Sequence, residues 1–435
     1  MQVTLSNKQK TLLSIIAIAS ILAIVVVLDM TVSYGSSMKM LITVIEKGAI
    51  FALVAASMNL LNGFTGLFSL GQAGFMLIGA YTYAIFTIPK GYHYSVYQYF
   101  DGGAIQWSIE EFLSDKLGIF GHYLGMFIPM IVAGLLVAVI AYLIGIPVLR
   151  LKSDYLAIAT LGFAEILRAL FQWNKLGPIT NGSNVLRKYA TYDNAVFPVI
   201  IAGICIAIIV LLINSTYGRA FRAIRDDEIA AEAMGINLFK HKEMSFVISS
   251  FFAGIGGALL AMFQTTINAT PFATTMTYEI LLIVVIGGIG SITGSIIGAF
   301  LFTACSEWWL RGLDSGQWLF IQADFMRPGF RKVVFAVIIM IIVLFYAQGI
   351  MGTKEFSWEG LLTWFKTLPQ RIKEWPAKSK AKREAKKAAR AAAKAQKAKA
   401  KESKKNSSEK KASGEKLFQP LPVYDHVVVF EKEGK

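Results

Sequence analysis

The sequence predicts an all-α protein that crosses a membrane about ten times and ends in a basic cytoplasmic tail. Hydrophobic residues make up 55% of the 435 residues, whereas soluble chains average roughly 45–50%. The apolar residues come in blocks of roughly 18–25, the length that a helix needs to cross a bilayer core. Residues 352–435 carry a net charge of +12 and residues 1–351 only +3. We therefore expect a transmembrane domain over 1–351 and a separate basic tail.

The first apolar block, Thr11–Leu28, follows a polar start that contains Lys8 and Lys10. A signal peptide begins in the same way, but this block is long, and Asp29 and Met30 stand where a small-x-small cleavage site is needed. We therefore expect a retained first helix. The further predicted spans are Leu41–Asn62, Phe64–Ile88, Tyr123–Leu149, Tyr155–Gln172, Ala195–Ile213, Met244–Thr266, Thr277–Gly287, Ser291–Trp308 and Val333–Ala347.

The number of spans depends on residues 277–308, which fit one tilted helix or two short ones. Three glycines within residues 287–290 favour a turn and hence two helices. The loop at 214–243 and the start of the tail are both rich in lysine and arginine, which places them on the cytoplasmic side. Both termini then lie in the cytoplasm only if the number of spans is even, and ten spans also place the loop there.

The tail divides into two predicted parts. Phe356–Trp375 has aromatic and leucine residues at near-helical spacing with basic residues between them, so we expect an interfacial amphipathic helix over 352–376. Residues 377–435 are rich in lysine and alanine and cannot build a core, so we expect a partly disordered cytoplasmic segment close to membrane lipids. No aromatic residues are interleaved for base stacking, which argues against nucleic-acid binding.

Motifs for catalysis are missing from the sequence. A phosphate-binding loop needs Gly-x4-Gly-Lys-Ser/Thr, and the nearest approach, Gly177–Gly182, is followed by Ser183 in place of lysine. There is no His-Glu-x-x-His and no Cys-x-x-Cys, and Cys205 and Cys305 lie in predicted spans, where they read as small core residues. We expect neither an enzyme nor a cofactor bound by this chain.

Few ionisable residues fall inside the predicted spans, and such residues are functional candidates because they are costly in lipid. Glu165 and Arg168 are three residues apart on one helix and can pair, whereas the neighbours Glu46 and Lys47 point apart. Glu279 is a further candidate. Each also fits a structural role as a paired or snorkelling residue. A set this sparse counts mildly against a carrier driven by protons or sodium.

The loop at 214–243 contains the signals of a short helix. Asp226 or Asp227 can cap its N-terminus, and Glu228 places negative charge at its positive end. Gly235 can adopt the left-handed conformation that ends a helix. The small apolar face of such a helix would fit a groove on a partner protein, and consists of Ile229, Ala230, Ala233 and Met234.

Residues 228–237 are similar to the Glu-Ala-Ala…Gly signature of ABC importer permeases. In that class the segment is the coupling helix, which sits in a cleft of the ATP-binding subunit. The resemblance therefore implies that a partner supplies the energy, and that ATP and Mg are bound there. The residues to which it assigns this coupling role are Arg225, Asp226, Asp227, Glu228, Ala231, Glu232 and Gly235.

Four glycine-rich segments within residues 40–352 resemble the permeases of branched-chain amino-acid importers, especially the larger, M-type subunit. The segments are 62–81, 154–166, the turn at 177–182, and 285–299. The resemblance implies a ten-helix fold of the vitamin B12-importer kind (type II) in a bacterial inner membrane. It also implies a second homologous permease, two ATP-binding subunits and a periplasmic amino-acid-binding protein.

Two alternatives stay open at this point. Permeases for urea and short-chain amides belong to the same family, and an ion-coupled secondary transporter or channel would work without partners. Seven residues in these segments and in the predicted spans are candidates either for lining a translocation path or for close helix packing. We favour packing for most of the glycines. The seven residues are Gly71, Gln72, Glu165, Gly182, Glu279, Gly287 and Gly288.

Overall fold

The computed structural model describes residues 6–31, 39–151 and 153–310, with short stretches between 317 and 363. Residues 5–357 form one compact unit, and the description below concerns that unit. The predicted span Val333–Ala347 and the interfacial helix at 352–376 lie mostly outside the described residues, and the tail at 377–435 lies wholly outside them.

The described residues are mostly helical, and those up to residue 180 form seven α-helices. These are α1 (Asn7–Thr31), α2 (Lys39–Asn59), α3 (Gln72–Thr87), α4 (His93–Val96), α5 (Ile109–Val148), α6 (Ser153–Gln172) and α7 (Gly177–Thr180). Helix α2 continues as a π-helical turn over Leu60–Phe64, and 3-10 turns occur at Lys90–Tyr92 and Asn174–Leu176.

The described residues after 180 add α8 (Val196–Asn214), α9 (Thr216–Asp226), α10 (Glu228–Ala233), α11 (Leu238–Gln264), α12 (Thr274–Gly287) and α13 (Ile292–Ala304). A π-helical turn extends α13 over Cys305–Trp309. Two short antiparallel strand pairs join β1 (Leu186–Arg187) to β2 (Thr266–Ile267), and β3 (Gln317–Trp318) to β4 (Ile321–Gln322).

Six of the described helical segments are long and apolar enough to cross a membrane. They are Leu12–Thr31, Lys39–Phe64, Phe120–Val148, Tyr155–Gln172, Val196–Asn214 and Leu238–Gln264. Helix α12 is apolar but shorter. The prediction of a helical, polytopic membrane protein is therefore confirmed. The total of ten spans and the vitamin B12-importer-like arrangement stay predictions.

Residues 277–308 form two helices, and the turn between them is built from glycine. Gly288 and Gly290 have φ values of +120° and +88°, which glycine adopts with little strain because it lacks a Cβ atom. Helices α12 and α13 then pack closely, since a Cβ on Gly287 would lie 2.3 Å from the carbonyl oxygen of Gly294. This contact supports the packing interpretation of Gly287.

The prediction of one continuous helix over Phe64–Ile88 is wrong, because residues 65–71 are not helical and α3 begins only at Gln72. Side chains from other elements replace the missing helical hydrogen bonds. Leu70 N–H donates to Thr160 Oγ1 at 3.0 Å and Ala73 N–H donates to Thr277 Oγ1 at 3.2 Å. These partners lie about 90 and 200 residues further along the chain, so the local sequence gave no indication of them.

The core is formed where α2, α3, α5 and α11 pack together. Small residues let α3 and α11 approach closely, since a Cβ on Gly79 would lie 2.1 Å from Gly254 O, and one on Gly257 would lie 2.1 Å from Met76 O. We name the two ends of the unit after short helices that lie there. The α10 end contains α9, α10 and the α12–α13 turn, and the α4 end contains α4, α7 and the β1–β2 pair.

Candidate functional site

Helix α10 begins at a side-chain cap. Asp227 Oδ1 accepts hydrogen bonds from the backbone N–H groups of Ile229 at 2.9 Å and Ala230 at 3.0 Å. Asp227 itself is extended, with φ of −160°, as a capping residue is. Of the two aspartates that the sequence offered as caps, Asp227 takes the position, and the adjacent Asp226 binds Arg225 instead.

The other end of α10 is a Schellman motif. Gly235 has a φ of +84°, its N–H donates to Glu232 O at 2.9 Å, and the N–H of Ile236 donates to Ala231 O at 3.1 Å. These are the two bonds that define the motif. A Cβ atom at Gly235 would meet nothing within 4 Å, so the backbone conformation alone demands glycine there.

The outer face of α10 is apolar and exposed in the part of the chain that the structure describes. Ile229 is 82% exposed and Met234 is 83% exposed, and Ala230 and Ala233 between them are exposed as well. Only Ala231 is buried, against the body of the protein. Two large apolar side chains held outward on a fixed helix are a feature of surfaces that bind another protein.

Contacts with the neighbouring helix hold α10 in place. Lys242 Nζ, on α11, lies 2.7 Å from Glu228 Oε2 on α10. Asn237 caps α11 by accepting a hydrogen bond from Lys240 N–H at 2.9 Å. The ion pair joins α10 to α11, and the cap fixes the point at which α11 begins.

Arg225 connects α9 to the irregular segment that precedes α3. Its Nε and Nη2 atoms donate to Asp226 Oδ1 at 3.0 and 2.8 Å, and its Nη1 donates to Gly63 O at 3.1 Å. Gly66 has a φ of +77°, and a Cβ there would lie 2.9 Å from Arg225 Cγ. Glycine at this position therefore leaves room for the arginine side chain.

Asn59, one turn before Gly63, joins α2 to the α12–α13 turn. Its Nδ2 donates to Ser291 O at 2.9 Å and to Ser295 Oγ at 2.8 Å, and its Oδ1 accepts from Gly290 N–H at 2.8 Å. The side chain is fully buried. Sequence reasoning missed this residue, although an asparagine within an apolar span needs hydrogen-bond partners and is a signal in itself.

Glu355 lies 63 residues after Ile292 in the chain and fixes the start of α13. Its two carboxylate oxygens accept the N–H groups of Ile292 at 2.7 Å and Thr293 at 3.1 Å. A carboxylate at a helix N-terminus is stabilised by the helix dipole as well as by these bonds. We call the connected set of Arg225, Gly63, Asn59 and residues 288–291 the α10-end network.

The residues predicted for a path or for packing do not form one cluster. Gly287 and Gly288 lie at the α10 end, and Gly71 and Gln72 are buried at the start of α3, where Gln72 Nε2 donates to Ser57 Oγ at 2.8 Å. Gly182 lies in the loop at the α4 end with φ of +59°.

The charged candidates have different partners. Glu165 pairs with Arg168 on the same helix, as their spacing predicts, and Glu279 is exposed on α12. Lys47 pairs with Glu307 and not with its neighbour Glu46. Among the residues that the structure describes, no group of three His, Cys, Asp or Glu side chains could hold a metal ion.

Comparison with known families decides the class of the chain. A family model described as "Branched-chain amino acid transport system / permease component" matches residues 40–357, which is well over half of the chain. The chain belongs to this permease family. The matched range contains all of α10, the whole α10-end network and Glu355.

Individual relatives of the permease carry the same description. The high-affinity branched-chain amino acid transport system permease protein LivM of Escherichia coli (strain K12) is 30% identical over 292 residues, 59% of this chain and 61% of that protein. LivM of Salmonella typhimurium is 30% identical over 322 residues, 66% of this chain and 67% of that protein. The match to the Escherichia coli protein thus spans less than two thirds of that relative. No solved structure matches the permease.

Proposed function

We propose that this permease is a membrane-spanning subunit of an ATP-driven importer of branched-chain amino acids. The observation that carries the proposal is the uncovered apolar face of α10, with Ile229 and Met234 more than four-fifths exposed, in a chain of this permease family. The function of the relatives, as their names give it, is the source of the proposed substrate class.

Helix α10 serves in this proposal as the docking element for an ATP-binding subunit. Its two ends are fixed by Asp227 and Gly235, so the exposed face keeps its shape without a partner. A pre-formed helix loses little conformational entropy when it binds, which favours docking. The residues proposed to couple ATP hydrolysis to transport are Arg225, Asp226, Asp227, Glu228, Ala231, Glu232 and Gly235.

The α10-end network connects the docked helix to the membrane domain through hydrogen bonds. A displacement of α10 would move α9, and with it the Arg225 side chain that is bonded to Gly63 O. Gly63 lies one turn from Asn59, which is bonded to the α12–α13 turn. The end of α2 with its π-helical turn and the α12–α13 pair would therefore respond together.

The location of the permease and the identity of its partners follow from this assignment. The α10 end and both termini lie in the cytoplasm, and the membrane is the bacterial inner membrane. Two ATP-binding subunits hold the ATP and Mg, a second homologous permease completes the path, and a periplasmic amino-acid-binding protein delivers the substrate. The domain division at about residue 351, with an interfacial helix and a basic tail after it, is part of the same proposal.

Reconstitution into vesicles tests the proposal. The permease is assembled with its ATP-binding subunits, the second permease and the binding protein, and uptake of leucine is measured with and without ATP, with urea as the competing substrate. We expect ATP-dependent uptake of leucine and none from the permease alone. Uptake by the permease alone that ignores ATP would show a secondary transporter or channel, and uptake of urea in place of leucine would move the substrate to the amides.

A further inference from the structure

Helix α6 carries an ion pair that the coupling mechanism does not use. Arg168 Nε and Nη2 each lie 2.7 Å from Glu165 Oε2. The other oxygen, Glu165 Oε1, accepts the backbone N–H of Thr274 at 3.1 Å and its Oγ1–H at 2.6 Å. Glu165 therefore holds Arg168 and also caps the start of α12, and both charged side chains are about 30% exposed.

The pair lies within the depth of the bilayer. Glu165 is seven residues before Gln172, where the membrane-spanning segment ends, so at a rise of 1.5 Å per residue it is about 10 Å below that end. Arg168 does not snorkel toward the interface, because its guanidinium bonds to a residue one turn deeper, and helical side chains project toward the N-terminus. Charged side chains at such a depth face water or the protein interior, because lipid does not solvate them.

Helix α12 presents a polar face beside this pair. Thr275, Tyr278 and Glu279 are all exposed in this chain, and residues three and four apart lie on the same side of a helix. Apart from the two residues of β2, the connection that leads into α12 is irregular, and it exposes Thr265, Thr266 and Thr270. Irregular backbone near membrane depth is tolerated where it lines a water-filled cavity or is buried in protein.

A different helix shows what a lipid-facing surface of this permease looks like. The exposed large side chains of α8 are all aliphatic, namely Ile200, Ile204, Ile208, Val210 and Leu211. No charged residue occurs between Val196 and Asn214. Helix α6 also exposes Ile158 and Ile166, so it differs from α8 in the charged pair of Glu165 and Arg168, which lies beside the exposed polar side chains of α12.

We propose that the adjoining faces of α6 and α12 line the half of the translocation path nearest the α4 end, and that Arg168 binds the carboxylate of the passing amino acid. This inference rests on the proposed function. Glu165 acts as a positioning residue, because it uses two of the five N–H donors of the guanidinium and leaves the others for a ligand. The ligand class is a zwitterionic amino acid, which an uncharged amide does not resemble.

Access of water to the face is tested by labelling, which needs no transport activity. In a background with Cys205→Ala and Cys305→Ala, Thr275→Cys is compared with Ile204→Cys in vesicles that contain the assembled complex. A charged, membrane-impermeant methanethiosulfonate needs a hydrated thiolate. We expect the cysteine at 275 to react, and to react more slowly with leucine present, while the cysteine at 204 does not react. A cysteine at 275 as inert as that at 204 would place the face in lipid or in a dry interface and would overturn the proposal.

The role of Arg168 is tested by kinetics of the same complex. We expect Arg168→Gln to raise the KM for leucine by roughly tenfold, the loss of one charged hydrogen-bonding partner, with Arg168→Lys between it and the native protein. The control is Lys175→Gln, which removes a positive charge that lies over the Trp173 ring at the end of α6. An unchanged KM in Arg168→Gln would rule out the carboxylate contact. If the complex transports no leucine at all, the proposed function fails for this substrate, whereas the labelling still tests whether the face of α6 and α12 is hydrated.

Discussion

At the scale of single residues, the proposed coupling region contains positions where the backbone conformation or one side-chain contact restricts the residue type. Gly235 has a positive φ and open space around it, so conformation is its whole requirement. Arg225 is the side chain that reaches from α9 to Gly63. Variants of Gly235 test the proposed shape of α10, and variants of Arg225 test the proposed transmission of its movement.

Gly235→Val is expected to lower leucine uptake by the assembled complex by roughly tenfold. A β-branched residue in the left-handed conformation costs about 1–3 kcal/mol, which is enough to disorder the end of α10. Gly235→Asn is the matched control, since asparagine tolerates this conformation, and it should keep most of the uptake. Equal uptake in the valine and asparagine variants would contradict the requirement for a left-handed residue.

Arg225→Ala is expected to lower the leucine moved per ATP hydrolysed by roughly fivefold or more, the range of a typical coupling free energy. The reason is that α9 loses its bond to Gly63 O while the exposed face of α10 stays intact. Uptake and phosphate release are measured on the same vesicles. Arg219→Ala, on the exposed side of the same helix, should leave the ratio unchanged. The proposed route fails if the two alanine variants behave alike.

At the scale of elements, the sequence predicted those features whose causes are local. The cap and the glycine end of α10 lie within nine residues of one another, and the break between α12 and α13 follows from glycines in the turn itself. The interruption at residues 65–71 was missed because its hydrogen-bond partners, Thr160 and Thr277, come from distant helices. Asn59 was missed for the same reason, since its partners lie some 230 residues away.

Helix α4 gives a prediction about pH. His93 is buried, its Nε2–H donates to Ile88 O at 3.1 Å, and burial lowers its pKa below the usual 6.5, although that bond and Glu111 oppose the shift. The unfolded chain then binds more protons than the folded one between the two pKa values, so stability is lost as the pH falls below about 6.5.

Thermal unfolding in detergent checks this prediction. The midpoint of the native permease should fall more between pH 7 and pH 5 than that of His93→Gln, whose amide can keep the bond to Ile88 O without titrating. The two proteins differ only at residue 93, so the difference between the two curves isolates His93. Parallel curves would mean that His93 contributes nothing to the pH dependence.

At the scale of the whole molecule, the α10 end and the α4 end have different proposed roles. The α10 end contains the apolar face proposed to dock an ATP-binding subunit and the α10-end network, and the faces of α6 and α12 near the α4 end carry the charged groups proposed to bind the substrate. Composition and charge predicted a membrane domain with such an end. They did not predict which helix faces are polar, because that depends on how the helices pack around one another.

The central claim is that energy enters this permease through the exposed face of α10. The most direct test is the leucine uptake and ATP hydrolysis of vesicles that contain the complex with Ile229→Ser and Met234→Ser together. Both side chains are more than 80% exposed, so the double change should leave the fold of the permease intact. Lys240→Ser, at an exposed position in the first turn of α11, serves as the control. We predict that the double variant loses ATP-driven uptake and retains less of the ATP-binding subunits on purification. Full uptake with the native ratio of leucine to ATP would contradict the claim.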